Sequence, residues 1–151
     1  MIDSLIFEMK AFCEQFGLSY VEDNPSLTIE DIIEFQKRGL VGKSSEEIEE
    51  FVFKAHSFNT LLKSKRSSLR AFVRGLDGLV DSYVARGLGG VDKFLPFPMK
   101  RELILSVDPD MISINSKLNM AKMQLDKISE LPEGIDSTLR SLENRMRRRN
   151  G

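Results

Sequence analysis

The sequence predicts an all-α fold in which one long amphipathic helix is packed by shorter C-terminal helices and preceded by a small helical N-terminal appendage. Three observations lead there. Apolar residues keep a 3-4 spacing from Ser45 to about Val84 with no proline among them. A second stretch of the same spacing follows Asp108-Pro109. All the prolines lie outside these periodic stretches or at their first position.

The first stretch has the seam Ile48, Phe51, Ala55, Phe58, Leu62, Lys65, Leu69, Phe72, Leu76, Leu79 and Tyr83, broken only at Lys65. One helix of about 40 residues is roughly 60 Å long at 1.5 Å per residue. Such a helix cannot bury its seam against itself, so it needs partner helices from its own chain or from other copies. Ser44 or Ser45 is placed to cap it, with Glu46 and Glu47 at the positive end of its dipole.

Ahead of it, Ile2, Leu5, Ile6, Met9, Phe12, Cys13 and Phe16 fall at helical spacing and stop at Gly17. A turn cluster at 22–26 leads to a short helix from Thr28, with Ile29, Ile32 and Ile33 inward and Gly39 and Gly42 at its end. Behind it, Arg86 to Gly90 reads as a stop and a flexible link. Without a following Lys-Ser or Lys-Thr it is not a nucleotide-binding loop. Leu95-Pro96-Phe97-Pro98 is expected to be extended, and Met99 to Val107 is either a short helix or a strand. Asp108-Pro109 starts the helix carrying Met111, Ile114, Leu118, Ala121, Leu125 and Ile128, which is expected to pack back along the long one. Leu131 to Gly134 turns the chain into a last helix with Ile135, Leu139, Leu142 and Met146 on one side. The expected division is an acidic helical appendage at 1–42, a long-helix core at 43–131 with a Gly/Pro linker at 86–107, and a C-terminal helix at 132–151.

Composition narrows the function. A chain of 151 residues with 41% apolar content can bury a core. No apolar run approaches the ~20 residues that span a bilayer, and the N-terminus lacks the basic and small-residue features of a secretory signal, so no membrane partner and a cytoplasmic location are expected. One cysteine and one histidine exclude a His/Cys metal cluster within one chain and an internal disulfide. The acids Glu30, Asp31 and Glu34 have no second convergent cluster and read as a solvated face. No metal, cofactor or catalytic set is expected.

The charge is more informative than its net value of −1. Residues 1–50 hold twelve acids and four bases, residues 51–101 three and ten, and residues 102–151 eight of each. No acid lies between Glu50 and Asp77, whereas Lys63, Arg66, Arg70 and Arg74 follow one another by three, four and four positions and line up on one helix face. Such a ridge attracts phosphates, and each phosphate neutralised releases counterions. The alternative is a basic solvated face. Arg145, Arg147, Arg148 and Arg149 form a second candidate DNA-binding site, the alternative there being a frayed tail near a helix C-terminus. Phe94, Phe97 and Tyr83 are candidates for base stacking, set against ordinary core packing.

The order of long basic helix, Gly-rich link, Pro-containing loop, Asp-started helix and short terminal helix resembles the UvsY-type recombination mediators of T-even-like phages. The resemblance covers about residues 45–151. It rests on Val80-Asp81-Ser82-Tyr83 with the glycines after it, on Ser106-Val107-Asp108-Pro109-Asp110, and on Leu139-Arg140-Ser141-Leu142-Glu143-Asn144 through Gly151. It implies a non-enzymatic, ring-forming homo-oligomer that binds single-stranded DNA and helps a RecA-like recombinase displace single-strand-binding protein, in a host cytoplasm if phage-encoded. It places DNA contacts on Lys63, Lys65, Arg66, Arg70 and Arg74, and oligomerisation on the terminal helix with Ile135, Leu139, Leu142 and Met146. The rival expectation is a non-catalytic helical assembly or adaptor protein without DNA binding, its ridge paired with the acidic N-terminal third of another copy.

Overall fold

The structure, a computed structural model, describes residues 2–17, 29–38 and 42–150; the side chains of 2–4, 29, 30, 33, 35, 36, 149 and 150 are outside that description. Every α or β element among the described residues is an α-helix: α1 (Ile2–Gln15), α2 (Ile29–Arg38), α3 (Ser45–Gly87), α4 (Phe97–Ser106), α5 (Pro109–Ile128) and α6 (Leu131–Asn150), with a single 3-10 turn at Leu88–Gly90. The expected turn at 22–26, Thr28 and Gly39 lie outside the described residues.

Local signals set the ends. Ser44 and Glu47 form a reciprocal capping box at the start of α3: the Ser44 N–H donates to Glu47 Oε2 at 2.7 Å, and the Glu47 N–H donates to Ser44 Oγ at 3.1 Å. The Ser44 N–H, and after it the Ser44 hydroxyl, hold the Glu47 carboxyl below its ordinary pKa. Asp108 caps α5, its Oδ1 accepting the Asp110 N–H at 2.9 Å, with Pro109 as the first helical residue. Gly17 ends α1 with φ +65, a left-handed conformation that glycine adopts without strain.

Two proline segments depart from expectation. Phe97-Pro98 is the first turn of α4, entered from an extended Pro96 at φ −58 and ψ 145, so the expected extended segment holds at Pro96 and gives way to helix at Phe97-Pro98, and the strand alternative for Met99–Val107 gives way to the helix that ends at Ser106. Leu131-Pro132 is likewise the first turn of α6. A proline there removes only an N–H that has no partner within the helix. The glycine-rich stretch is also not a loose link, because α3 runs to Gly87 and passes directly into the 3-10 turn.

The chain packs as two units, each built from separated segments. The first contains α1, the second half of α3, α4 and α5. Its buried residues include Leu5, Met9 and Cys13 of α1, Leu69, Phe72, Val73, Val80 and Val84 of α3, Ile104 and Leu105 of α4, and Met111, Leu118 and Ala121 of α5. Phe12 meets the Phe72 ring edge-on with centroids 5.4 Å apart. Glu8 pairs with Lys117 at 2.8 Å, and Asp77 with Lys122 at 2.7 Å. Close approach explains Gly87, where an added Cβ would lie 2.6 Å from Ile104 Cγ2.

The second unit contains α2, the first half of α3 and α6. Ile32, Ala55, Leu62, Ile135 and Leu139 form one buried cluster, and Ile48 with Leu142 forms another to which Met146 adds. Residues 1–42 are therefore not an appendage: α1 and α2 each supply core residues, to different units. The helix expected to run back along α3 does so only in the first unit, and α6 takes that place in the second.

Burial along α3 follows the heptad seam at Ile48, Ala55, Leu62, Leu69 and Phe72 and departs from it at Asn59, Val73, Val80 and Val84. Ile48, Ala55, Asn59, Leu62, Leu69, Val73, Val80 and Val84 are buried, and Val84 lies 36 residues beyond Ile48. That interval is about ten turns at 3.6 residues per turn, whereas the heptad seam repeats every 3.5. The two patterns separate by about one residue over this length, so Leu79 is 48% exposed while Val80 is fully buried.

Candidate nucleic-acid interface

The same drift rearranges the basic ridge. Lys65, which the heptad spacing puts on the seam, is only half-buried and engages other groups of the protein. Arg66 moves inward, its side chain 13% exposed. Its Nη1 donates to the Ser129 carbonyl at 2.6 Å and to both Glu133 carboxylate oxygens at 2.7 Å. One turn earlier, Lys63 Nζ donates to Asp136 Oδ2 at 2.7 Å. Both acids belong to α6, so the N-terminal part of the ridge joins two helices of the second unit.

Arg70 and Arg74 differ. Both are exposed, one turn apart on the part of α3 that belongs to the first unit, and among the described residues neither holds an ion pair. Of the five sequence-derived contacts these two are available to a phosphate backbone, while Lys63, Lys65 and Arg66 have partners within the chain. In the second unit, Arg145, Arg147 and Arg148 are exposed along α6; the Arg149 side chain lies outside the described residues. Arg147 lines a shallow depression with Phe53, His56 and Glu143. His56 Nε2 and Glu143 Oε1 stand 3.0 Å apart there, a link between α3 and α6.

Ile135, Leu139 and Leu142, assigned above to contacts between copies, are 6%, 1% and 6% exposed inside the chain's own core. Met146 packs against the Ile48 and Leu142 pair. The apolar stripe of α6 is thus covered by α2 and α3 and is not a free oligomerisation face.

Asn59 is a polar member of this core that the heptad pattern hides. At 2% exposure its Nδ2 donates to the Pro132 carbonyl at 3.0 Å and to Asp136 Oδ1 at 2.7 Å. It therefore fixes the register of the first turn of α6 on α3 and positions the carboxylate that Lys63 reaches. Its Oδ1 and the Nε of Arg66 are buried without hydrogen-bond partners among the described residues. A buried asparagine in mid-helix at 3.6 spacing from its apolar neighbours is the sequence signal for this contact.

These bonds carry a pH dependence. The hydrogen bond from Arg66 holds the Glu133 carboxyl below its ordinary range, and the one from Lys63 does the same for Asp136. A carboxyl with a depressed folded pKa stabilises the fold fully above its unfolded pKa and loses that contribution as pH falls through the folded value. Stability should therefore hold near neutrality and decline below about pH 4, the ordinary carboxylate range. Thermal denaturation across pH checks it: Lys63→Ala with Arg66→Ala should flatten the acid limb, and an acid limb as steep as wild type would refute the assignment.

In the first unit a cleft of about 760 Å³ opens at the end of α3, lined by Tyr83, Arg86, Val91, Leu95, Leu103 and Val107 among others. Burial raises the Tyr83 hydroxyl pKa, as does its hydrogen bond with Asp108. Among the described residues no group of three or more His, Cys, Asp or Glu could hold a metal, and no helix is long and apolar enough to cross a membrane. The chain matches no protein-family model, no curated protein and no solved structure.

Proposed function

We propose that the protein is a non-catalytic mediator that binds single-stranded DNA in the cytoplasm and helps a RecA-like recombinase load onto strands covered by single-strand-binding protein. The observation that carries DNA binding is the pair Arg70 and Arg74, exposed and without ion pairs among the described residues, on a helix that has no acid from Phe51 to Leu76. The recombinase and the displaced protein come from the resemblance in element order. Two arginines alone bind more weakly than the range of about 10⁻⁴ to 10⁻⁶ M typical of non-specific binding. Homo-oligomerisation into a ring would raise the local concentration of contacts. Such a ring would use surfaces other than the apolar stripe of α6, which is occupied within the chain.

The test is a titration of labelled single-stranded oligonucleotide at several salt concentrations. Binding should weaken linearly on logarithmic axes as salt rises, and Arg70→Ala with Arg74→Ala should lower the slope by about 1.4, at about 0.7 per phosphate contact. Absence of binding at low salt, or a slope unchanged in the double variant, would overturn the proposal.

A second reading, a helical assembly protein without DNA binding, is favoured by the engagement of Lys63 and Arg66 with Asp136 and Glu133. That pairing gives the basic ridge a structural use with no external polyanion. It requires that no strand bind at low salt, so the same titration separates the two.

A further inference from the structure

Between the end of α3 and the start of α4 the first unit presents exposed aromatic rings beside basic side chains and an open cleft. The Phe94 ring is 84% exposed and Phe97 57%; Phe7, Phe16 and Phe53 are also exposed elsewhere, and what marks this loop is the basic side chains and cleft beside its rings. The loop holding Phe94 is tied down rather than loose. Asp92 Oδ1 accepts the Phe94 N–H at 2.9 Å, and Lys100 Nζ reaches back from α4 to the Lys93 carbonyl at 2.9 Å. Lys93 Nζ lies over the Phe94 ring, 5.2 Å from its centroid. Arg86, exposed at the end of α3, lines the neighbouring cleft together with Asp92 and Leu95, the residues two before and one after Phe94.

An exposed ring held by a fixed backbone costs little entropy to stack against, and a base offers a face of the same kind. Its sugar-phosphate carries the charge that Arg86, Lys93 and Lys100 would meet, whereas Asp92 is turned to the backbone of its own loop. The cleft volume lies within the ~300–1,000 Å³ range of sites that enclose small organic groups.

We propose that this turn is a base-binding site for a single nucleic-acid strand, with Phe94 as the stacking surface, Arg86 and Lys93 as phosphate partners, and the cleft receiving an unstacked base. The inference rests on the single-strand-binding reading above, but on different residues. Through Phe94 it adds a contribution that depends on bases and not on salt, beside the salt-dependent one of Arg86 and Lys93.

The full chain is titrated with an oligothymidylate and with an abasic strand of equal length. Wild type should bind the oligothymidylate about tenfold tighter, the order of one stacked base. Phe94→Ala should lose that preference and keep the salt slope, since so exposed a ring contributes nothing to the core; circular dichroism checks that the fold is intact. If Phe94→Ala binds both strands as wild type does, while Arg70→Ala with Arg74→Ala weakens both, the base site is refuted and strand binding stands. That outcome would leave the cleft to an apolar group of a protein partner. If neither strand binds wild type at low salt, both proposals fail together.

Discussion

Leu139→Ala should lower the free energy of unfolding by about 2–5 kcal/mol, the range for emptying a fully buried leucine site. Leu139 is 1% exposed and belongs to the cluster of Ile32 from α2, Ala55 and Leu62 from α3, and Ile135 from α6. Three helices therefore lose contacts together, and Ala55 is too small to expand into the void. The result distinguishes an intrachain role from one between copies. If Leu139 serves the chain's own core, the denaturation midpoint falls by the same amount at low and high protein concentration. If it serves a subunit contact, the monomer keeps its midpoint and the dissociation constant of the oligomer rises. A variant with unchanged, concentration-independent unfolding would place Leu139 outside the core and contradict the structure.

The contrast between Leu139 and its expected role shows which parts of this fold are readable locally. The capping box of Ser44 and Glu47 and the aspartate cap of α5 involve residues two or three positions apart, so the sequence carries them in full. An apolar stripe at 135, 139, 142 and 146 is equally plain, but the stripe does not say which surface covers it. That is settled by α2 and α3, whose cluster members lie up to about a hundred positions earlier. The prolines at 98 and 132 misdirect for a different reason. They end helices when they fall in the interior, but in a first turn they fit, and the difference depends on where the preceding segment stops.

The candidate site was legible in part for a related reason. Residue type and spacing identify a basic face, whereas the 3.6-residue drift of burial decides which members of it turn inward. Over the first half of α3 that drift carries Arg66 toward α6, and Asn59, a residue with no apparent role in a heptad reading, becomes the buried anchor. The acids that answer Lys63 and Arg66 stand 73 and 67 positions away, beyond any local pattern. That Arg70 and Arg74 hold no ion pair among the described residues is likewise a tertiary fact, since it depends on which acids approach them.

Arg66→Ala and Arg70→Glu with Arg74→Glu should therefore have opposite consequences, although all three arginines lie within nine residues of one helix. Removing Arg66 takes a donor from the Ser129 carbonyl and detaches Glu133, so stability should fall by about 1–2 kcal/mol, chiefly through the lost part-buried hydrogen bond. Strand affinity at a temperature where the variant is folded should stay within about twofold of wild type, because the guanidinium was not available to a phosphate. Reversing Arg70 and Arg74 removes no ion pair among the described residues, so the melting temperature should move by no more than an ordinary surface substitution moves it, within about 0.5 kcal/mol. Its effect on strand binding is larger than neutralisation. Two attractive charges become repulsive, and at low salt the affinity should fall by about a hundredfold or more. Raising the salt should narrow that gap, since screening weakens the repulsion along with the attraction. The measurements are thermal melts and salt-dependent oligonucleotide titrations on each variant. Equal loss of binding in the Arg66 variant at full folding would mean that the α6 contacts open to admit the strand, and a large stability loss in the reversed pair would mean that Arg70 and Arg74 are structural; either result would break the division drawn along α3.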